Sequence, residues 1–123
     1  MPQTHSRIIA GRRCIWLTER LWDLVKELPV KEIEVSSIKE LDQDCWFGDR
    51  HIPTVRKVAD HCRRILEADL SYPIILNADG YLMDGGHRLS KALIQGAIRI
   101  KAVQFETMPE PDHIEPLNSG EVI

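Results

Sequence analysis

The chain has few cysteines. Cys14, Cys45 and Cys62 are odd in number, widely spaced and outside any CxxC pair, so neither a disulfide framework nor a zinc site is indicated and reduced thiols are expected. No apolar run approaches the ~20 residues that cross a bilayer, and the amino end lacks the apolar stretch of a secretory signal. A soluble, cytoplasmic protein with no membrane partner is the expectation. A basic excess is also missing, since 16 Lys and Arg face 19 Asp and Glu for a net charge of −3. Generic polyanion binding, which rests on neutralising many phosphates, is thereby disfavoured, and any basic surface must be local. From Glu106 onward there is no Lys or Arg at all, whereas the amino end carries Arg7, Arg12 and Arg13. Such ends can attract each other or lie as solvated tails; solvated tails are expected. There is no internal repeat, and 123 residues suit one compact core.

What is present concentrates between Tyr72 and Phe105. An apolar run, Pro73 to Leu76, meets the turn signal Asn77-Ala78-Asp79-Gly80 and a second short run, Tyr81 to Met83, which predicts a hairpin. Leu89, Ala92, Leu93 and Gly96 then recur at helical spacing, so a helix should begin near Gly86. Asp84, Gly85, Gly86, His87 and Arg88 therefore stand where a strand turns into a helix. Amides at a helix start lack intrahelical partners and carry the positive end of the dipole. Two glycines admit a close ligand, and His87 and Arg88 can add donors to an anion. The same residues also read as a plain strand-to-helix turn with a solvated first turn. Asp84 is either a magnesium ligand or a cap on the following helix.

This stretch resembles the ParB/sulfiredoxin superfamily over roughly residues 30–105. Members carry a strand, a glycine-containing turn ending in His-Arg or Arg-Arg, and a helix. Asp84-Gly85-Gly86-His87-Arg88 is most similar to the Asp-Gly-His-His-Arg turn of the free-serine kinases of this fold. In sulfiredoxins the turn reads Gly-Cys-His-Arg, and Gly86 takes the place of the catalytic cysteine, so sulfiredoxin chemistry is expected to be absent. The resemblance implies that His87 and Arg88 contact the phosphates of ATP, ADP or CTP and that Asp84 holds magnesium or positions a reacting hydroxyl. On this view Asp84 and His87 are the catalytic candidates, Gly85 and Gly86 cradle phosphate, and a small hydroxyl compound is an acceptor. It also implies a nucleotide-binding lysine on the preceding helix, for which Lys57 is the candidate, with Arg64 further along the same face.

Elsewhere, Thr18 is a suitable cap for an amphipathic helix with Leu21, Trp22, Leu24, Val25 and Leu28 on one face, ending at Pro29. Val30 to Val35 reads as a strand, Ser36 to Leu41 as a short helical turn, and Asp42 to His51 as a loop. In that loop Trp46 and Phe47 either grip a ligand or plug a sheet edge, and Asp49 is a second candidate for metal or general-base work. His51 is more often a cap or surface residue than a catalyst. It stands with Thr54 and Arg56 at the start of the next helix, whose amides could join those of Gly85 and Gly86 around one anion. That helix, after Pro53, carries Val55, Val58, Ala59, Cys62, Ile65 and Leu66 at three- and four-residue spacing, which predicts one face in the core. Its other face holds Arg56, Lys57, Asp60, Arg63, Arg64 and Glu67 and is either solvated or turned to a ligand. Gly96 should close the last helix, and Ile98, Ile100 and Ala102 lie on one face of a final strand.

The expected architecture is a small α+β fold of the α/β type, a mixed sheet packed with about three helices. It comprises an amino-terminal arm and helix (1–29), the main domain (30–105) and an extended or disordered acidic tail (106–123). The expected function is magnesium-dependent nucleotide hydrolysis or phosphoryl transfer. A noncatalytic ParB-like regulatory or DNA-partition module is the alternative, and a ParB-like nuclease the third reading. DNA is a disfavoured partner because no helix-turn-helix follows this stretch. A homodimer is left open.

Overall fold

The computed structural model describes residues 3–48 and 51–117. It opens with a hairpin, β1 (Thr4–Ile9) and β2 (Arg12–Leu17), closed by Ala10 and Gly11, both at positive φ. That pair of left-handed residues matches the natural twist of two antiparallel strands. Next come α1 (Thr18–Val25), β3 (Lys31–Glu34) and two 3-10 turns, Val35–Ser37 and Lys39–Asp42, followed after a loop by α2 (Val55–Glu67). The rest is β4 (Ile74–Leu76), β5 (Leu82–Asp84), α3 (Gly86–Ile94), β6 (Arg99–Gln104) and β7 (His113–Pro116). Among the described residues the chain adopts the expected small α+β fold, with three helices.

One four-stranded sheet, ordered β3-β6-β4-β5, is mixed: β4 runs parallel to β6 and the other pairs are antiparallel. Of its two central strands β4 is buried throughout, whereas β6 exposes Arg99 and Lys101; the buried alternate residues of both divide between two cores. Ile74, Leu76, Ile100 and Ala102 meet Leu89 and Ala92 of α3 together with Val35 and Ile38. Ile75, Met83, Val103 and Phe105 meet Cys14 and Trp16 of β2 and Leu21 and Val25 of α1. The strand period of two thus places every apolar residue of β4 against one layer or the other.

Three local expectations are corrected. The amino-terminal segment before α1 is a hairpin whose second strand supplies buried Cys14 and Trp16, not a solvated arm. Part of the acidic tail is a strand: β7 pairs antiparallel with β2, Trp16 Nε1 donates to Pro109 O at 2.9 Å, and Arg20 donates to Glu110 O at 2.7 Å. Opposite charges do bring the ends together, with Arg13 3.6 Å from Glu115 and Arg20 3.2 Å from Asp112. Thr18 is the first residue of α1 and not its cap; Leu17 precedes it, its amide donating to the Asp112 carboxylate at 2.8 Å.

The largest departure is α2. Of the face predicted to enter the core only Ile65 is buried, while Val55 is 89% exposed and Leu66 74%. The helix is held through its His61 and Ile65 side and through Lys91, whose ammonium donates to the carbonyls of Leu66 and Ala68.

Candidate functional site

The turn from β5 into α3 forms as its sequence requires. Gly85 caps the helix with φ of +116°, a conformation that costs a side chain dearly, and a Cβ there would lie 2.6 Å from buried Ile74. Leu89 N donates to Gly85 O at 2.9 Å, the first intrahelical bond. The amides of Gly86, His87 and Arg88 come before it and point out of the helix start. A Cβ on Gly86 would stand 3.2 Å from Trp46 Nε1, so the second glycine makes room for an indole. Both glycines therefore have a packing reason, and Trp46 covers the corner at Gly86.

Asp84 is tied down at the same turn. Its Oδ2 accepts from Trp22 Nε1 at 2.9 Å and from Arg88 at 3.1 Å, which links α1 to the helix start. Arg88 is not the surface residue its first-turn position suggests. Its side chain is 18% exposed, it lies over the Trp22 ring at 5.3 Å, and its Nε is buried without a partner. Glu40 shows the same pattern: Oε2 accepts from Leu82 N at 3.0 Å, and Oε1 is buried without a partner.

Beside this pair lies a second one. His61 Nδ1 and His87 Nε2 are 2.8 Å apart and share a hydrogen bond across the α2–α3 seam. The Trp46 indole stacks on both imidazoles, with centroids 4.7 Å from His61 and 5.0 Å from His87. Phe47 closes one side, edge-on to both Trp46 and His61, instead of plugging the sheet edge. The loop that carries these rings is shaped by Asp44, whose carboxylate accepts from the amides of Trp46, Phe47 and Gly48. Those three bonds hold the Asp44 carboxyl below its ordinary range. Burial, then the charges of His61, Arg64 and Arg88, push the His87 imidazolium toward its neutral form.

Arg64 reaches the same cleft and is paired with Asp60 at 3.1 Å. The other α2 candidates fall elsewhere. Thr54 caps its own helix, its Oγ1 accepting from Lys57 N at 3.2 Å, and Lys57 faces a separate surface depression beside Arg56 and Asp60. His51 is exposed and away from the cleft. Asp49 lies outside the described residues. The turn, the histidine pair and Arg64 line one open cleft of about 1170 Å³, into which Trp22, Trp46 and Tyr81 also turn.

Trp22, Glu40, Asp44 and His61 are site residues that the sequence reading passed over. His61 was findable: it stands four residues before Ile65, on the one face of α2 that packs inward. In the sequence Trp22 reads only as a member of the apolar stripe.

Among the described residues no three His, Cys, Asp or Glu side chains converge into a metal-holding group. Comparison of the chain with protein-family models, with curated proteins and with solved structures gives no match in any of the three.

Proposed function

We propose that the cleft binds a phosphorylated, nucleotide-like ligand, with phosphate at the start of α3, and that the protein hydrolyses the nucleotide or passes its phosphoryl group to a small hydroxyl compound. The observation that carries this reading is the place of the helix start, whose amides 86–88 lie in the cleft wall under the Trp46 indole, beside Arg88, His87, His61 and Arg64. Flat rings on the same walls suit a base.

In this reading Arg88 is held ready by Asp84, and phosphate takes the guanidinium edge that Asp84 leaves open. Neutral His87 accepts the proton of the attacking water or hydroxyl as oxygen bonds to phosphorus and the bond to the leaving phosphate breaks. The chain would supply positioning and charge, which is most of what phosphoryl transfer needs. Magnesium fits in one manner only. A metal bound mainly through substrate phosphates needs one or two carboxylates, and Asp84 retains Oδ1 once Oδ2 is engaged by Trp22 and Arg88. Magnesium there would neutralise charge on the phosphates. The similarity of Asp84-Gly85-Gly86-His87-Arg88 to the ParB/sulfiredoxin turn points the same way.

Because Trp46 covers Gly86, phosphate reaches those amides only when the indole moves aside. Calorimetric titration with ATP, ADP and CTP plus magnesium should therefore show binding that tightens severalfold in Trp46→Ala and weakens in Arg64→Ala with unchanged thermal stability. Arg64 serves this purpose better than Arg88, whose removal would leave a mostly buried carboxylate underpaired. Failure of wild type and Trp46→Ala alike to bind any of the three at millimolar concentration would overturn the reading.

A further inference from the structure

We infer that Arg7, Lys39 and the Tyr81 hydroxyl form a second anion subsite in the cleft, apart from the start of α3, and that the ligand carries a second phosphate or carboxylate to fill it. Arg7 lies on β1, Lys39 opens the second 3-10 turn, and Tyr81 stands one residue before β5. The Arg7 guanidinium is 4.6 Å from the centre of the Tyr81 ring and the Lys39 ammonium 4.3 Å. Three separate elements thus bring two cations to one phenol. Neither cation has an ion-pair partner among the described residues, and the Tyr81 hydroxyl has no hydrogen-bond partner there. Glu40, next to Lys39 in sequence, pairs with neither: its Oε2 accepts from Leu82 N and its Oε1 is buried. Arg20, Arg63, Arg64 and Arg88, by contrast, all have a carboxylate beside them. Like charges gathered without an acid repel each other, and an oxyanion removes that repulsion. It would take a planar fork from Arg7, a point charge from Lys39 and a phenolic O–H from Tyr81.

Position ties this group to the other end of the cleft. Arg7 and Tyr81 line the same cleft as His87, Arg88 and Arg64. Tyr81 precedes Asp84 by three residues, so their Cα atoms are at most about 11 Å apart, and Asp84 holds Arg88 at the helix start. His5, on the same face of β1 as Arg7, feels the charges of both Arg7 and Asp84, which sets β1 alongside β5. One small molecule therefore reaches both places. That the two anions belong to one ligand rests on the function proposed above, whereas the subsite itself does not.

The chain has two tyrosines, Tyr72 and Tyr81, so the Tyr81 ring signals in NMR spectra are assigned by their loss in Tyr81→Phe. Titration of the full chain with inorganic phosphate, and separately with acetate, at constant ionic strength should move these signals at millimolar concentration while those of Tyr72 stay still. The anion that acts at the lower concentration names the group. Arg7→Gln and Lys39→Gln should each weaken the response about three- to tenfold, as for losing one charged contact at an open site. Lys39 is exposed, so its variant should keep the melting temperature of the wild type. A Tyr81 ring unmoved by either anion up to about 50 mM, or moved equally in wild type and both variants, would overturn the subsite. The His87 ring signals report the start of α3 in the same titration with phosphate; their silence while Tyr81 responds would count against the proposed function and leave the subsite standing. Hexane-1,6-diyl bisphosphate should bind about tenfold more tightly than hexyl phosphate, and lose that advantage in Lys39→Gln. Equal affinity of the two probes would overturn the assignment of both anions to one ligand.

Discussion

The two helices that meet at the histidine pair are opposites. α2 has the cleaner amphipathic sequence and buries one residue, Ile65, whereas α3, which begins with glycine, buries Leu89 and Ala92 at the centre of a core. The difference lies in how each is tethered. α3 leaves β5 through one glycine and returns to β6 through another, Gly85 at φ +116° and Gly96 at φ +72°, so short connections press it onto the sheet. α2 sits between a long loop and a six-residue return, and touches the domain along one edge. An amphipathic period states that a helix has two faces; connection length decides what the apolar one meets.

The sharpest way to break the comparison is at the α3 tether. Gly85→Ala combines a positive φ with a Cβ 2.6 Å from buried Ile74, so chemical denaturation should show a loss of about 2–6 kcal/mol. A loss under 1 kcal/mol would mean that the turn relaxes freely and that α3 is no better anchored than α2.

Truncation along the two helices comes next. Leu89→Ala should cost about 2–5 kcal/mol, because Leu89 is buried among Ile74, Ile100 and Ala102. Leu66→Ala should change stability by no more than about 0.5 kcal/mol. Equal costs would show that the stripe on α2 is covered within its own chain.

How much of this was legible follows the same division. The hairpin from Pro73 to Met83, the helix start at Gly86 and the strand after Gly96 all lie where local turn chemistry put them, since each depends on neighbours in sequence. The pairing of Arg12 to Ile15 with His113 to Pro116 was not legible, since strand pairing across a hundred residues leaves no local period and Pro109 and Pro111 read as breakers, whereas the hairpin that holds Arg7 to Trp16 is local and turns on Ala10-Gly11. At the site, Asp84, Gly85, Gly86, His87 and Arg88 were found together because one turn carries them. Trp22, Asp44 and His61 come from three other elements and converge only in the fold. Arg88 was placed at the surface for a related reason, since nothing local announces that Trp22 and Asp84 enclose it. Thr54 and Lys57 lie away from the cleft because α2 shows it a different face from the one a simple docking of its apolar stripe implies.

The smallest effect concerns the seam where the helices join. His87 is held below its ordinary value near 6.5, first by burial and then by the charges of His61, Arg64 and Arg88, with Asp60 opposing. Above that value folded and unfolded chains both carry a neutral ring, and the His61–His87 bond costs nothing to keep. As pH falls through 6.5 the unfolded ring takes up a proton that the folded one resists, so stability declines until the folded ring also titrates. Solvent screening of a partly exposed ring keeps the change under about 1 kcal/mol. Urea midpoints should accordingly drop between pH 7.5 and pH 5, and drop less in His87→Gln, which cannot charge. Some slope will persist there, because burial and the charge of Arg7 also lower His5, against the pull of Asp84. Identical slopes in wild type and His87→Gln would show that the proton enters elsewhere, and that the bond joining α2 to α3 is not what acid loosens.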